Sequence, residues 1–183
     1  MDAQPGRAFG WSDMWAAPED DPREQGGPVE GERATLVRYL RDRRLTLEMK
    51  CEGLSPEQLA RRSVEPSDMS LLGIVRHLAE VEQYWFRIVM AGEHPERHFR
   101  GSSVLAFREA VGDDEHVTDA WARWRSEVAY AERLVDESDL SRRGTGPEQP
   151  ELREVVVHMI EEYARHLGHA DLLRERIDGR IGQ

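Results

Sequence analysis

Apolar positions along this chain recur at helical spacing in four long stretches and alternate at strand spacing in none. The first stretch runs roughly over 30–52, with Leu36, Tyr39, Leu40, Leu47 and Cys51 on one face and Gly53 as a stop. The second runs roughly over 69–91 through Leu71, Ile74, Leu78, Val81, Trp85 and Ile88. Ser67 or Asp68 is its expected N-cap, and Gly92 stands where a C′ glycine belongs. The third spans roughly 114–137 through Val117, Trp121, Trp124, Val128, Ala131 and Leu134. The fourth spans roughly 151–178 and stops at Gly179. Four amphipathic helices without strands predict an all-α fold, a four-helix bundle.

The links are unequal. The longest, residues 92–113, joins the second helix to the third and has room for a short helix around Val104–Val111. A polar loop carrying Gly144, Gly146, Pro147 and Pro150 leads into the fourth helix. Residues 1–28 (through APEDDPREQGGP) are rich in Pro, Gly and acidic groups and read as an extension without a core of its own. Phe9, Trp11 and Trp15 are suited to docking on a neighbouring surface, so partial order is expected there. Residues 29–183 form the expected bundle domain.

Composition narrows the function. With 183 residues there is enough chain for one sizeable core. The net charge of −11 repels a phosphate backbone and argues against nucleic-acid binding. No run of 18 apolar residues exists, so no membrane span is expected. The N-terminus lacks the basic-then-apolar order of a secretory signal. Cys51 is the only cysteine, which rules out an intrachain disulfide and fits a cytoplasmic protein. It ends an apolar-periodic segment and reads as a buried, inert thiol, with a nucleophile as the alternative. No heptad seam fixes the oligomeric state, so a monomer and a homodimer both stand.

The candidate chemistry lies on the fourth helix. At about 100° per residue, Val155, Met159, Leu173 and Ile177 centre its apolar face. His166 falls among them, and Glu162 lies about 40° away, still inside the stripe. His169 follows on the same side, His158 lies at the edge, and Glu161 and Arg165 point outward. A carboxylate turned toward a core is costly unless paired or bound to metal. Glu162 and His166 are four residues apart, so their side chains lie one above the other and can grip one ion. His77, at the edge of the second helix's apolar face, is the natural third ligand. A buried Glu–His hydrogen bond is the plain alternative. Three ligands of type His, Glu and His leave a coordination position for water or substrate, as in catalytic zinc sites. Zinc suits this mix, and nickel, iron and manganese accept the same donors. His94, His98 and His116 stand in polar contexts and receive no role.

Two segments carry a resemblance. SLLGIVRHLAEVEQYWF (70–86) and VVHMIEEYARHLGHADLLRERIDG (156–179), together with GLSPEQL after the first helix, are similar to the DinB-like superfamily of four-helix-bundle metalloenzymes. The best fit is its actinobacterial branch, once catalogued as a domain of unknown function. The superfamily includes mycothiol-dependent maleylpyruvate isomerases and thiol S-transferases. The likeness covers about residues 29–180. It implies that His77, Glu162 and His166 are the metal ligands, Glu162 standing where many members have His and isomerase-like ones have Glu. It makes His169 a pocket residue or acid/base candidate, since many relatives carry Gln there, and leaves His158 as a substitute ligand. The implied activity is a metal-dependent transferase or isomerase that uses a small thiol, mycothiol by preference, and a small-molecule electrophile. A metal-activated hydrolase and a non-catalytic stress-response module are the alternatives.

Overall fold

The computed structural model describes residues 14–25, 28–146 and 149–182. Phe9, Trp11 and Pro147, singled out above, lie outside the described residues. The fold is all-α. Among the described residues, six α-helices follow in order: α1 (Gly31–Cys51), α2 (Pro56–Ala60), α3 (Leu71–Glu82), α4 (Ser103–Arg108), α5 (Asp114–Glu137) and α6 (Leu152–Asp178). Helix α3 runs on as a π-helical segment, Gln83–Met90, and a 3₁₀ turn, His98–Gly101, precedes α4. Among the described residues no strand forms, and one isolated antiparallel bridge, Arg143 to Glu151, closes the loop before α6.

The long helices start and stop close to where the apolar pattern ends, and the caps explain why. Asp113 caps α5 by accepting from the His116 amide, and Gly179 ends α6 with φ at +78°. The N-cap of α3 is Ser70, whose hydroxyl accepts from the Gly73 amide, and not Ser67 or Asp68. Ser67 instead accepts from the Met69 amide and closes the preceding turn. Short α2 has a reciprocal capping box between Ser55 and Gln58. The apolar pattern misses it because a single turn shows no periodicity.

Helix α1 packs along α6, while α3 packs on α5, α4 and α6. Their apolar faces meet in one core that includes Leu47, Leu72, Ile74, Leu78, Phe86, Trp124, Leu152, Met159 and Leu173. The π-helical segment changes which side chains reach that core. A turn closed i→i+5 carries an extra residue, so every later position rotates off a 3.6-residue pattern. Within it Gln83, Phe86 and Met90 are consequently the buried ones, while Trp85 and Ile88, expected inside, are only half-buried; just ahead of it, Glu82 is buried and Val81, also expected inside, is half-buried. The Ala91 amide bonds to the Phe86 carbonyl at 3.1 Å, five residues back. Gly92, with φ at +71°, then turns the chain out of the helix. Tyr39, expected on the inner face of α1, is exposed.

Glu82 would be a costly buried acid without partners. It has three. Arg44 of α1 clasps both its oxygens at 2.8 Å, and the Tyr163 hydroxyl of α6 donates to Oε1 at 2.8 Å. Trp124 of α5 donates to the Tyr163 oxygen at 2.8 Å. All four long helices thus meet in one buried polar network.

Candidate metal centre

Helices α3 and α6 bring His77, Glu162 and His166 together, with one potential ligand atom from each lying within 4.8 Å of the others. His77 Nε2 is 3.9 Å and His166 Nε2 3.7 Å from the same carboxylate oxygen, Glu162 Oε2. The two imidazole centroids are 4.5 Å apart. The side chains are 14%, 21% and 9% exposed in that order, so the cluster sits at the edge of the core. These separations exceed the 2.7–3.2 Å of a hydrogen bond. They fall just below about 4.2 Å, twice a typical Zn–N or Zn–O bond. The plain alternative, a Glu–His hydrogen bond, is therefore not what the geometry contains.

Burial disfavours the charged form of both rings. It pushes His77 below the ordinary histidine value, with Glu162 pulling partly the other way. His166 is lowered to about 3, by burial first and then by His77, His169 and Arg165. Neutral imidazole is the form that ligates a metal. The far ring nitrogens, His77 Nδ1 and His166 Nδ1, are buried and have no hydrogen-bond partner among the described residues. Packing, not an acceptor, holds the rings. Donor types, spacing and protonation state fit a divalent ion.

The other candidates fall outside the trio. His158 Nε2 is 3.6 Å from the second oxygen, Glu162 Oε1, and its ring lies 4.5 Å from Trp85. His169 lies 5.4 Å from His166, centroid to centroid, with its own Nδ1 buried and unpartnered. His98 is tied elsewhere. Arg123 donates to its Nδ1, which leaves Nε2–H to donate to buried Glu127 at 3.0 Å. Two neighbours of the cluster carried no signal in the sequence. Phe107 of α4 covers the two ligand rings, 5.4 Å from His77 and 6.3 Å from His166. Gly73 lets it approach, since a Cβ there would stand 2.6 Å from Phe107 Cδ1 and 3.2 Å from its Cα. Trp85 gave an apolar signal but read as core.

Residues 35–179 match the mycothiol-S-transferase family. The chain belongs to this family. The match spans both helices of the cluster and the Phe107 connection between them. A comparison with individual curated proteins gives no match. Membership agrees with the resemblance drawn from the two motif segments. Among the described residues, no helix is long and apolar enough to cross a membrane.

Proposed function

We propose that this chain is a divalent-metal-dependent transferase that joins the sulfur of a mycothiol-type thiol to a small electrophile. The observation that carries the reading is the trio of closely spaced donors, two imidazoles and a carboxylate, inside a member of the mycothiol-S-transferase family. His77 and His166 would hold the ion through Nε2 and Glu162 through Oε2. When bound, the ion supplies the charge that deprotonates a coordinated thiol at neutral pH. Three protein donors leave room for that exogenous ligand. Phe107 and the surrounding core limit water at the inner side of the rings, which strengthens electrostatic effects there.

The sulfur has to come from outside the chain. Cys51 is buried, and burial raises its thiol to about 12, with Arg174 pulling down only in part. A thiol in that state supplies almost no thiolate near pH 7. This favours a cosubstrate thiol over a protein nucleophile.

The test combines binding and turnover. After reconstitution with zinc, elemental analysis of the wild-type protein should give about one equivalent. His166→Ala and Glu162→Gln should retain under a tenth of that while keeping helical content. Conjugation of a thiol to 1-chloro-2,4-dinitrobenzene should need both metal and thiol. Sub-stoichiometric metal in the wild type, or full metal in both variants, would overturn the reading. Turnover of an ester without added thiol would replace it with metal-activated hydrolysis.

A further inference from the structure

The two oxygens of Glu162 face different imidazoles. Oε2 lies 3.9 Å from His77 Nε2 and 3.7 Å from His166 Nε2. Oε1 lies 3.6 Å from Nε2 of His158, one turn earlier on α6. His158 stands apart from the converging donors, which among the described residues are His77, Glu162 and His166. A carboxylate only accepts hydrogen bonds, so the ring nitrogen turned toward Oε1 is the one that carries the proton. The separation exceeds the 2.7–3.2 Å of a hydrogen bond, so the two groups face each other without being bonded.

His158 needs a wall to keep that orientation, because its side chain is 38% exposed. Trp85 supplies the wall, with its ring 4.5 Å from the imidazole, centroid to centroid, and tilted by 54°. Tyr84 backs Trp85 edge-on at 5.3 Å. Trp85 reaches this place through the π-helical segment, whose extra residue per turn leaves it half-buried instead of in the core. The two helices therefore meet at two ring contacts of equal length, His77 on His166 and Trp85 on His158, both 4.5 Å. Eight residues separate the contacts on each chain segment, about 12 Å of α-helix. Glu162 stands midway between them on α6.

We infer that His158 is a positioning residue for Glu162. It donates Nε2–H to Oε1 and leaves Oε2 as the single ligating oxygen, while Trp85, placed by the π-helical segment, holds the ring. The inference rests on the metal centre proposed above. Carboxylates ligate through one oxygen or two, and tying one oxygen keeps a coordination position for an outside ligand. Zinc affinity, measured by competition with a chromophoric chelator, tests it without turnover. His158→Ala should keep one equivalent of zinc but bind it about tenfold more weakly. Its Co(II) d–d absorption should fall, as it does when a carboxylate chelates and raises the coordination number. His158→Gln retains an N–H donor and should recover affinity to within about threefold of wild type. Trp85→Ala should weaken zinc about threefold, and Trp85→Phe, which keeps a ring, should not. Unchanged affinity and Co(II) spectrum in His158→Ala would overturn the inference and leave the metal centre standing. Loss of stoichiometry equal to that in His166→Ala would overturn it by making His158 a ligand. His158→Gln no better than His158→Ala would remove the donor role, and full affinity in Trp85→Ala would remove the part given to the π-helical segment. A wild type that takes up no metal would overturn the proposed function and this inference together.

Discussion

At His166, burial and two neighbouring imidazoles all disfavour the charged ring, and the outcome reaches beyond ligation. Its value of about 3 in the folded chain lies below the roughly 6.5 of an unfolded histidine. On acidification the unfolded chain therefore takes up the proton first. The stability gained by keeping this ring neutral is complete above about pH 6.5 and is lost as pH falls toward 3. His77, also lowered by burial, adds in the same direction. Metal-free protein should lose up to about 1.4 kcal/mol per pH unit from His166 alone between pH 6.5 and 5. This interval precedes most carboxylate titration. Urea denaturation at several pH values checks this, and His166→Asn should flatten the dependence. Equal slopes in both proteins would contradict it. Gly73 makes a second residue-scale prediction. An added methyl meets Phe107 head-on, so Gly73→Ala should cost about 1–3 kcal/mol through overpacking. Pairing it with Phe107→Ala should cost less than the two single losses combined, because the clash is shared.

At the scale of the element, the junction between α3 and its π-helical continuation is the feature with most consequences. Just before the phase change, Glu82 points inward on the same face as Leu78, and Arg44 and Tyr163 meet it from α1 and α6, with Trp124 of α5 bonded to Tyr163. Burial alone would disfavour charge on Arg44, but Glu82 outweighs it and holds the guanidinium more firmly protonated than usual. Glu82→Ala strands that cation and should cost about 3–5 kcal/mol. Tyr163→Phe removes hydrogen bonds but no charge and should cost about 1–2 kcal/mol. Guanidinium denaturation of the two variants gives the ratio. The same junction marks where the sequence stops being readable. A 3.6-residue template placed the ends of α1, α5 and α6 well, because acidic residues stand at their starts and Gly follows α1 and α6. It placed Trp85 and Ile88 inside, because an extra residue per turn has no signature in hydrophobicity, and left Glu82 unremarked, because an acid on the inner face adds nothing to an apolar pattern. Ser67 and Asp68 stand just ahead of the true cap, Ser70, so a reading that took either as the cap started α3 about two residues early. Glu162 and His166 were legible because both lie on one helix at i,i+4. Their meeting with His77 depends on α3 crossing α6, which no local pattern encodes. Phe107 was invisible because a six-residue helix inside a long connection carries too few turns to show a face.

At the scale of the whole molecule, segments near both ends of the described chain close over the C-terminal ends of α1 and α6. Trp15 is buried between Lys50 and Arg180, each cation 3.9 Å from its ring centroid. Arg180 donates to the Trp15 carbonyl at 3.1 Å. Lys50 donates to the Gly182 carbonyl and pairs with Asp171 at 2.7 Å. Burial lowers the Lys50 ammonium, with Asp171 opposing the shift. Trp15→Ala should cost about 3 kcal/mol, or roughly 6–12 °C in Tm for a chain of this size, as read by calorimetry. Sequence alone marked the N-terminal aromatics as docking groups but offered no surface for them, since that surface is assembled from the far end of the chain. Lys50 is the only lysine among 183 residues, and it lies beneath that indole. Reagents that tag, cross-link or immobilise proteins through ε-amines therefore find no reactive handle on the folded surface. The slow appearance of label on Lys50 would serve as a clock for how often the two ends part.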